Sequence, residues 1–158
     1  MCSACFPSAV SRKLWKTWKP AYWPKLAAVM IAIDTNLIVR YLTGGYPEQS
    51  SRAREIVDGQ PVFVAVTVVL EAEWVLRSAY GYGRPDVVRA LRAFGGLSTV
   101  TIEDSAIVAA AFDLAENGMD FADALHLTKS VHCEEFVTFD RKFMKAAQAA
   151  GYEAVREA

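Results

Sequence analysis

The chain has 158 residues, 53% of them hydrophobic and 22% charged, and its net charge is −1. This composition excludes a disordered protein and favours one globular domain, which at this length buries about two thirds of its unfolded surface. No apolar run reaches the roughly 18 residues of a membrane-spanning helix, so we expect a soluble, cytoplasmic protein.

The first 29 residues differ from the rest of the chain. They contain five basic residues, no acidic residue and three of the four tryptophans, which leaves a net charge of −6 for the remainder. They show no sustained period typical of a helix or a strand. We therefore expect residues 1–29 to be a disordered extension or to precede a true start at Met30, and residues 30–158 to form the functional domain. A basic, aromatic arm that binds nucleic acid or a membrane surface is the alternative.

From Met30 onward, short apolar strands alternate with amphipathic helices. The predicted strands are MIAI, VFVA, STVTI and EFVTF. The predicted helices are NLIVRYL, which ends at Gly44-Gly45; Pro47 to about Val57, with Ser50, Arg52 and Glu55 facing water; Thr67, as N-cap, to about Tyr80; Pro85 to about Phe94, stopped by Gly95-Gly96; a helix that Ile107 to Leu114 mark and that ends near Asn117-Gly118; Phe121 to Val131; and Asp140 to Ala149. This alternation predicts an α/β fold: a single domain with a mainly parallel central sheet of about four or five strands, flanked by helices on both faces.

Four acidic residues belong to one edge of this predicted sheet. Asp34 directly follows the first strand and Asp140 the fourth, whereas Glu71 lies early in the helix after the second strand and Asp123 near the start of a late helix. Ligands of parallel sheets bind beyond the carboxyl ends of the strands. Because carboxylates repel one another, their convergence there is costly unless cations bind between them. Oxygen ligands without a Cys or His cluster favour Mg²⁺ or Mn²⁺ over zinc.

The helix after the second strand offers two acids, Glu71 and Glu73. Glu71 borders a predicted buried stripe, to which Val68, Ala72, Val75, Leu76 and Ala79 belong. Glu73 lies about 200° around the helix from it and four residues before Arg77, an order that favours an exposed ion pair. We assign Glu71 to the site and Glu73 to the solvated face.

Polar residues accompany the four carboxylates. Asp120 lies one turn before the third acid, so it could face the same cavity or serve as the N-cap of that helix. Thr35 and Asn36 follow the first acid, and Thr138 precedes the fourth by two residues. These groups either form turns and caps or orient the carboxylates from a supporting position.

Four segments, IDTNLIVRYL, VTVVLEAEWVLRSAY, DFADALHL and EFVTFDRKF, resemble in order and spacing the signature blocks of PIN-domain nucleases, and closely those of the VapC-like toxins of bacterial toxin–antitoxin pairs. The resemblance covers residues 30 to about 152. It implies that the family's acidic set falls on Asp34, Glu71, Asp123 and Asp140, and its supporting hydroxyl on Thr138. It also implies a homodimeric, Mg²⁺- or Mn²⁺-dependent endoribonuclease that a small cognate antitoxin, similar to VapB, inhibits.

The predicted activity is hydrolysis of RNA phosphodiester bonds by metal-activated water. Arg40 and Arg141 are candidate phosphate contacts, because both lie within about two helical turns of the acids. One alternative is a metal-dependent phosphatase with Asp34 as nucleophile, although the segment DTN lacks the second acid that such enzymes carry two residues further on. A non-catalytic module that only binds a partner is the other alternative.

Overall fold

The structure is a computed structural model that describes residues 30–158, and the expectation for residues 1–29 lies outside this part of the chain. The strands of the described part are β1 (Ile31–Ala32), β2 (Val62–Val64), β3 (Val100–Ile102), β4 (Phe136–Thr138) and β5 (Val155–Glu157). Its helices are α1 (Thr35–Thr43), α2 (Pro47–Gly59), α3 (Val66–Ser78), α4 (Arg84–Gly95), α5 (Ser105–Glu116), α6 (Phe121–Lys129) and α7 (Arg141–Ala149). None of these helices has the length and apolar character that crossing a bilayer requires.

All strand pairs within residues 30–158 are parallel. β2 lies between β1 and β3, with Val62 opposite both Ile31 and Val100. β4 and β5 form a second, two-stranded sheet in which Phe136 is opposite Val155. The predicted α/β fold with parallel strands is confirmed, although the strands are divided between two sheets. β5 lies beyond the last element that the sequence pattern predicted.

The hydrophobic core fixes the start of α6. Phe121, the first residue of this helix, is fully buried, and its ring stacks on that of Phe112 in α5 with 4.8 Å between centroids. Stacked aromatic rings contribute packing beyond the area that they bury. Since Asp120 and Asp123 lie on either side of Phe121 in the sequence, the core determines where the first turn of α6 places both acids.

The expected exposure of Ser50 is wrong. Ser50 is only 2% exposed, and its hydroxyl has no hydrogen-bond partner among residues 30–158. The helical period explains this burial, because Ser50 lies on the same face of α2 as the buried residues Ala53 and Val57.

The start of α3 also differs from the expectation. The helix begins at Val66, and the predicted N-cap, Thr67, lies within the first turn. The N–H of Val66 donates a hydrogen bond to Oε2 of Glu103, with 2.9 Å between the atoms. A carboxylate from the end of β3 therefore caps α3, which a local sequence pattern does not reveal.

Candidate active site

Asp34 joins β1 to α1 and is the N-cap of that helix. Its Oδ1 accepts a hydrogen bond from the N–H of Leu37, with 2.9 Å between the atoms. Aspartate is favoured at this position because its carboxylate satisfies a free N–H of the first helical turn. The residue is exposed at the carboxyl end of β1, where the sequence pattern predicts it.

Glu71 is held against the start of α1. The hydroxyl of Thr35 donates a hydrogen bond to Oε2 of Glu71, with 2.5 Å between the two oxygens. Thr35 is buried and Glu71 is exposed, so packing fixes the donor while the carboxylate remains accessible to water. The bond places Glu71 beside the residue that follows Asp34. Asn36, the next residue of α1, is exposed.

Asp123 lies in the first turn of α6 and is partly buried. Burial raises the pKa of Asp123 above its ordinary value, and the negative charges of Asp120 and Asp140 raise it further. His126 and Lys142 lower the same pKa by their proximity. The effect of Asp140 on Asp123 means that α6 and the segment after β4 bring their acids close to each other.

Asp140 is the N-cap of α7. Its Oδ1 accepts hydrogen bonds from the N–H groups of Lys142 and Phe143, at 2.8 and 3.0 Å. Its own N–H donates to Oγ1 of Thr138, at 3.0 Å. The hydroxyl of Thr138, for which the sequence predicts a supporting role, therefore restricts the backbone at Asp140.

The two candidate phosphate contacts are already engaged with other side chains. Arg40 donates from Nε to Gln49 and from Nη1 to the hydroxyl of Tyr80, at 2.8 and 2.7 Å, and its guanidinium lies 3.9 Å from the ring centroid of Tyr46. Arg141 donates to Glu157 at 2.9 Å but is largely exposed. Arg141 is therefore the more available of the two for a phosphate.

The chemistry of the acidic set suits a hard divalent cation, because the four predicted side chains offer only carboxylate oxygens. Within residues 30–158, however, no three His, Cys, Asp or Glu side chains are arranged so that they could hold one metal ion. Asp123 is electrostatically coupled to Asp140, and the hydrogen bond from Thr35 separately places Glu71 beside the start of α1. Convergence of all four acids stays a prediction.

Glu73 is the main correction to the expected site. It is 1% exposed rather than solvated, and Nε of Arg77 lies 2.6 Å from its Oε1. The buried face of α3 consists of Val69, Ala72, Glu73 and Leu76, which is rotated by about one residue from the predicted stripe. Arg77 also reaches Asp120, the N-cap of α6. The spacing of Glu73 and Arg77 indicated their pairing, but no local signal indicated its burial or its link to α6.

Comparison with known proteins places these features in a family. The chain matches the PIN domain over residues 31–149, a span that includes all four predicted acids. No curated protein sequence matches it. Among solved structures, it is similar to Mycobacterium tuberculosis VapC20, described as a toxin that cleaves the sarcin-ricin loop, with 20% identity, a TM-score of 0.37, and coverage of 80% of this chain and 98% of that one. This chain belongs to the PIN domain family.

Proposed function

We propose that the chain is an endoribonuclease that depends on a divalent cation, Mg²⁺ or Mn²⁺, and hydrolyses RNA phosphodiester bonds. One observation carries this proposal: the partly buried carboxylate of Asp123 lies close enough to Asp120 and Asp140 for their charges to raise its pKa. A partly buried acid whose pKa is raised by neighbouring carboxylates is typical of functional sites, because the repulsion has to be offset by a ligand. Membership of the PIN family supports a nuclease over other uses of such acids.

Asp34, Asp123 and Asp140 would hold the cation, with Glu71 bound directly or through water. When bound, a divalent cation supplies charge that stabilises the phosphate and makes water a stronger nucleophile. The chain itself contributes fixed carboxylates. Asp34 and Asp140 use one oxygen, Oδ1, for the cap bonds that orient them, and the other oxygen has no hydrogen bond from residues 30–158. Thr35 similarly restricts Glu71 through a single oxygen.

Phe139 offers a contact for the RNA base next to the cleaved bond. It is 84% exposed and directly precedes Asp140. The next two residues, Arg141 and Lys142, are exposed cations. Exposed aromatic rings beside basic residues bind single-stranded RNA by stacking on unpaired bases while the cations contact phosphates. We therefore expect a single-stranded or looped RNA rather than a regular duplex.

The biological role that we propose is that of a toxin in a toxin–antitoxin pair. The four sequence segments that resemble VapC-like toxins support this role, as does their order along the chain. The same resemblance supports a cytoplasmic homodimer that a small VapB-like antitoxin inhibits. A neighbouring reading frame that encodes a small protein with a DNA-binding N-terminus and an amphipathic tail would support the pairing.

The central experiment incubates the purified, partner-free chain with a looped RNA in the presence of Mg²⁺ or Mn²⁺, and then with EDTA. We expect cleavage that EDTA abolishes and that Asp34→Asn or Asp123→Asn reduces at least about a hundredfold, as expected for ligands of a catalytic cation. Asp113→Asn, at an exposed helical position outside the site, is the matched control and should cleave normally.

Other outcomes would contradict the proposal. Metal-dependent cleavage by both folded site variants would exclude the assigned acids. Phosphate release from a small monoester without RNA cleavage would indicate a phosphatase. If thermal unfolding shows that the chain is folded and it has neither activity, it would be a module that only binds a partner.

A further inference from the structure

An ion pair between a buried carboxylate and a partly exposed arginine lies beside the proposed site and has no part in the chemistry described so far. Glu73 is almost inaccessible to water, and its Oε1 accepts a hydrogen bond from Nε of Arg77 one helical turn later, at 2.6 Å. This hydrogen bond raises the pKa of Arg77 above its ordinary value. A buried carboxylate without a partner is costly, so Glu73 restricts Arg77 to this position.

Arg77 also contacts a second helix. Its Nη2 is 3.3 Å from Oδ2 of Asp120, whose other oxygen, Oδ1, accepts a hydrogen bond from the N–H of Ala122 at 3.0 Å. Arg84 adds a cation 3.8 Å from the same Oδ2 and donates to the carbonyl oxygen of Gly118 at 2.8 Å. The segment 118–120, which leads into α6, is therefore held at both ends of the α3–α4 connection: Arg77 donates a hydrogen bond to Asp120, and Arg84 donates one to Gly118.

The two helices that Arg77 connects each carry one proposed site acid. Glu71 lies two residues before Glu73 on α3, and Asp123 lies three residues after Asp120 on α6. On the basis of the proposed nuclease function, we propose that Glu73, Arg77 and Asp120 form a positioning clamp that sets the distance between Glu71 and Asp123. None of the three would touch the substrate. The clamp would act only through the placement of the two helices.

Two substitutions weaken the contact between Arg77 and Asp120 while a cation remains beside Glu73. Arg77→Lys keeps a cation beside Glu73 but loses the planar fork that lets one guanidinium bind two carboxylates. Asp120→Asn keeps a favoured N-cap of the same size but loses the charge that Arg77 binds. Because the buried Glu73 retains a cation in both variants, we expect both to fold, and thermal unfolding checks this.

The experiment compares the full-length chain with these variants in two measurements. The first is RNA cleavage with Mn²⁺ at about pH 8, well above the ordinary carboxyl pKa of about 4, and again about one pH unit higher, where equal rate ratios show that protonation of Asp123 does not cause the difference. The second is hydrogen exchange of the Ala122 and Ala124 amides without RNA or metal. We expect both variants to lower kcat about tenfold or more, since small displacements of catalytic groups cost this much, with KM changed less than about twofold. We also expect faster exchange at both amides.

The double variant tests whether the two residues act together. If Arg77 and Asp120 form one clamp, the double variant should be no slower than the slower single variant. Asp113→Asn breaks another interhelical pair, that of Arg92 in α4 with Asp113 in α5, and should change neither measurement.

Three results would overturn the clamp: kcat within about twofold of the parent in both single variants, unchanged amide exchange, or multiplicative effects in the double variant. A parent chain that fails to cleave RNA with either metal would instead overturn the proposed function. In that case the hydrogen-exchange measurement still decides whether Arg77 and Asp120 hold the start of α6.

Discussion

The hydroxyl of Thr35 donates a hydrogen bond to the carboxylate of Glu71, and this contact joins the first turn of α1 to the second turn of α3. Thr35 is buried, so its hydroxyl cannot turn freely toward water. Two residues distant in sequence thus form one unit at the carboxyl edge of the sheet. The contact suggests a direct test of how Glu71 is oriented.

Replacing Thr35 with valine should slow RNA cleavage about tenfold. Valine has nearly the same shape, so the packing is retained, but Glu71 loses the only side-chain hydrogen bond that it accepts from residues 30–158 and becomes free to rotate. Steady-state kinetics with a looped RNA would measure the change. Thr101→Val, at an exposed position of β3, is the matched control. Equal activity in the two variants would show that the Thr35 hydroxyl has no role in placing Glu71.

The raised pKa of Asp123 predicts a pH dependence of stability in the metal-free chain. Because the folded state holds this proton more tightly than the unfolded state, its contribution to the free energy of unfolding is largest at low pH and falls as pH rises from the ordinary carboxyl pKa through the raised value. Asp123→Asn removes the ionised group and should raise the unfolding midpoint at neutral pH more than at about pH 3, below the ordinary pKa. Thermal unfolding at both pH values, with Asp113→Asn as control, measures this difference. A lower midpoint for Asp123→Asn at neutral pH would contradict it.

Ser50→Ala should leave the protein equally stable or stabilise it by up to about 1 kcal/mol, since the buried hydroxyl has no partner and alanine is the better helix former. Ser51→Ala, at the next position of α2, is exposed and reports the contribution of helix propensity together with the loss of a long, exposed hydrogen bond to Glu55, at 3.4 Å. Chemical denaturation would compare the two. Clear destabilisation by Ser50→Ala relative to Ser51→Ala would mean that the Ser50 hydroxyl has a partner.

Phe139→Ala should raise KM for RNA about tenfold, because stacking on an aromatic ring contributes about 1–3 kcal/mol per base. The side chain is so exposed that its removal should leave the unfolding midpoint unchanged. Phe139→Trp keeps a stacking surface and should retain a low KM. Val131→Ala, at another exposed apolar position, is the control for general loss of apolar surface. Similar KM values in the alanine and tryptophan variants would exclude a base contact at this position.

Local sequence patterns predicted the features that depend on neighbouring residues. Asp34 and Asp140 each follow an apolar strand and precede a helix, and both positions have clear local signals. The alternation of strands and helices likewise predicted the parallel pairing that the structure contains. The two caps depend on interactions within a few residues, which a single sequence displays directly, whereas the parallel pairing follows from the general rule for strands that helices connect.

Contacts between distant segments could not be predicted in the same way. Glu73 has the spacing of an exposed pair with Arg77, but its burial depends on how α3 packs against neighbouring elements. The capping of Val66 by Glu103 joins residues from two separate elements, so neither position carries a sign of it. Charge and periodicity therefore predicted that Asp34 and Asp140 follow β1 and β4 at their carboxyl ends, whereas tertiary packing decided that Glu73 is buried and paired with Arg77.

Asp34 and Asp140 each have two roles, as helix caps and as proposed cation ligands, and this affects how relatives of this chain should be compared. Both residues cap helices, so selection for folding alone would keep a capping residue (Asp, Asn, Ser or Thr) at each position in a descendant that had lost its activity. Glu71 and Asp123 cap no helix, and without a catalytic role they would be free to drift to neutral residues. Whether a relative keeps acids at the positions of Glu71 and Asp123 should therefore distinguish working enzymes from inactive descendants more reliably than Asp34 and Asp140 do.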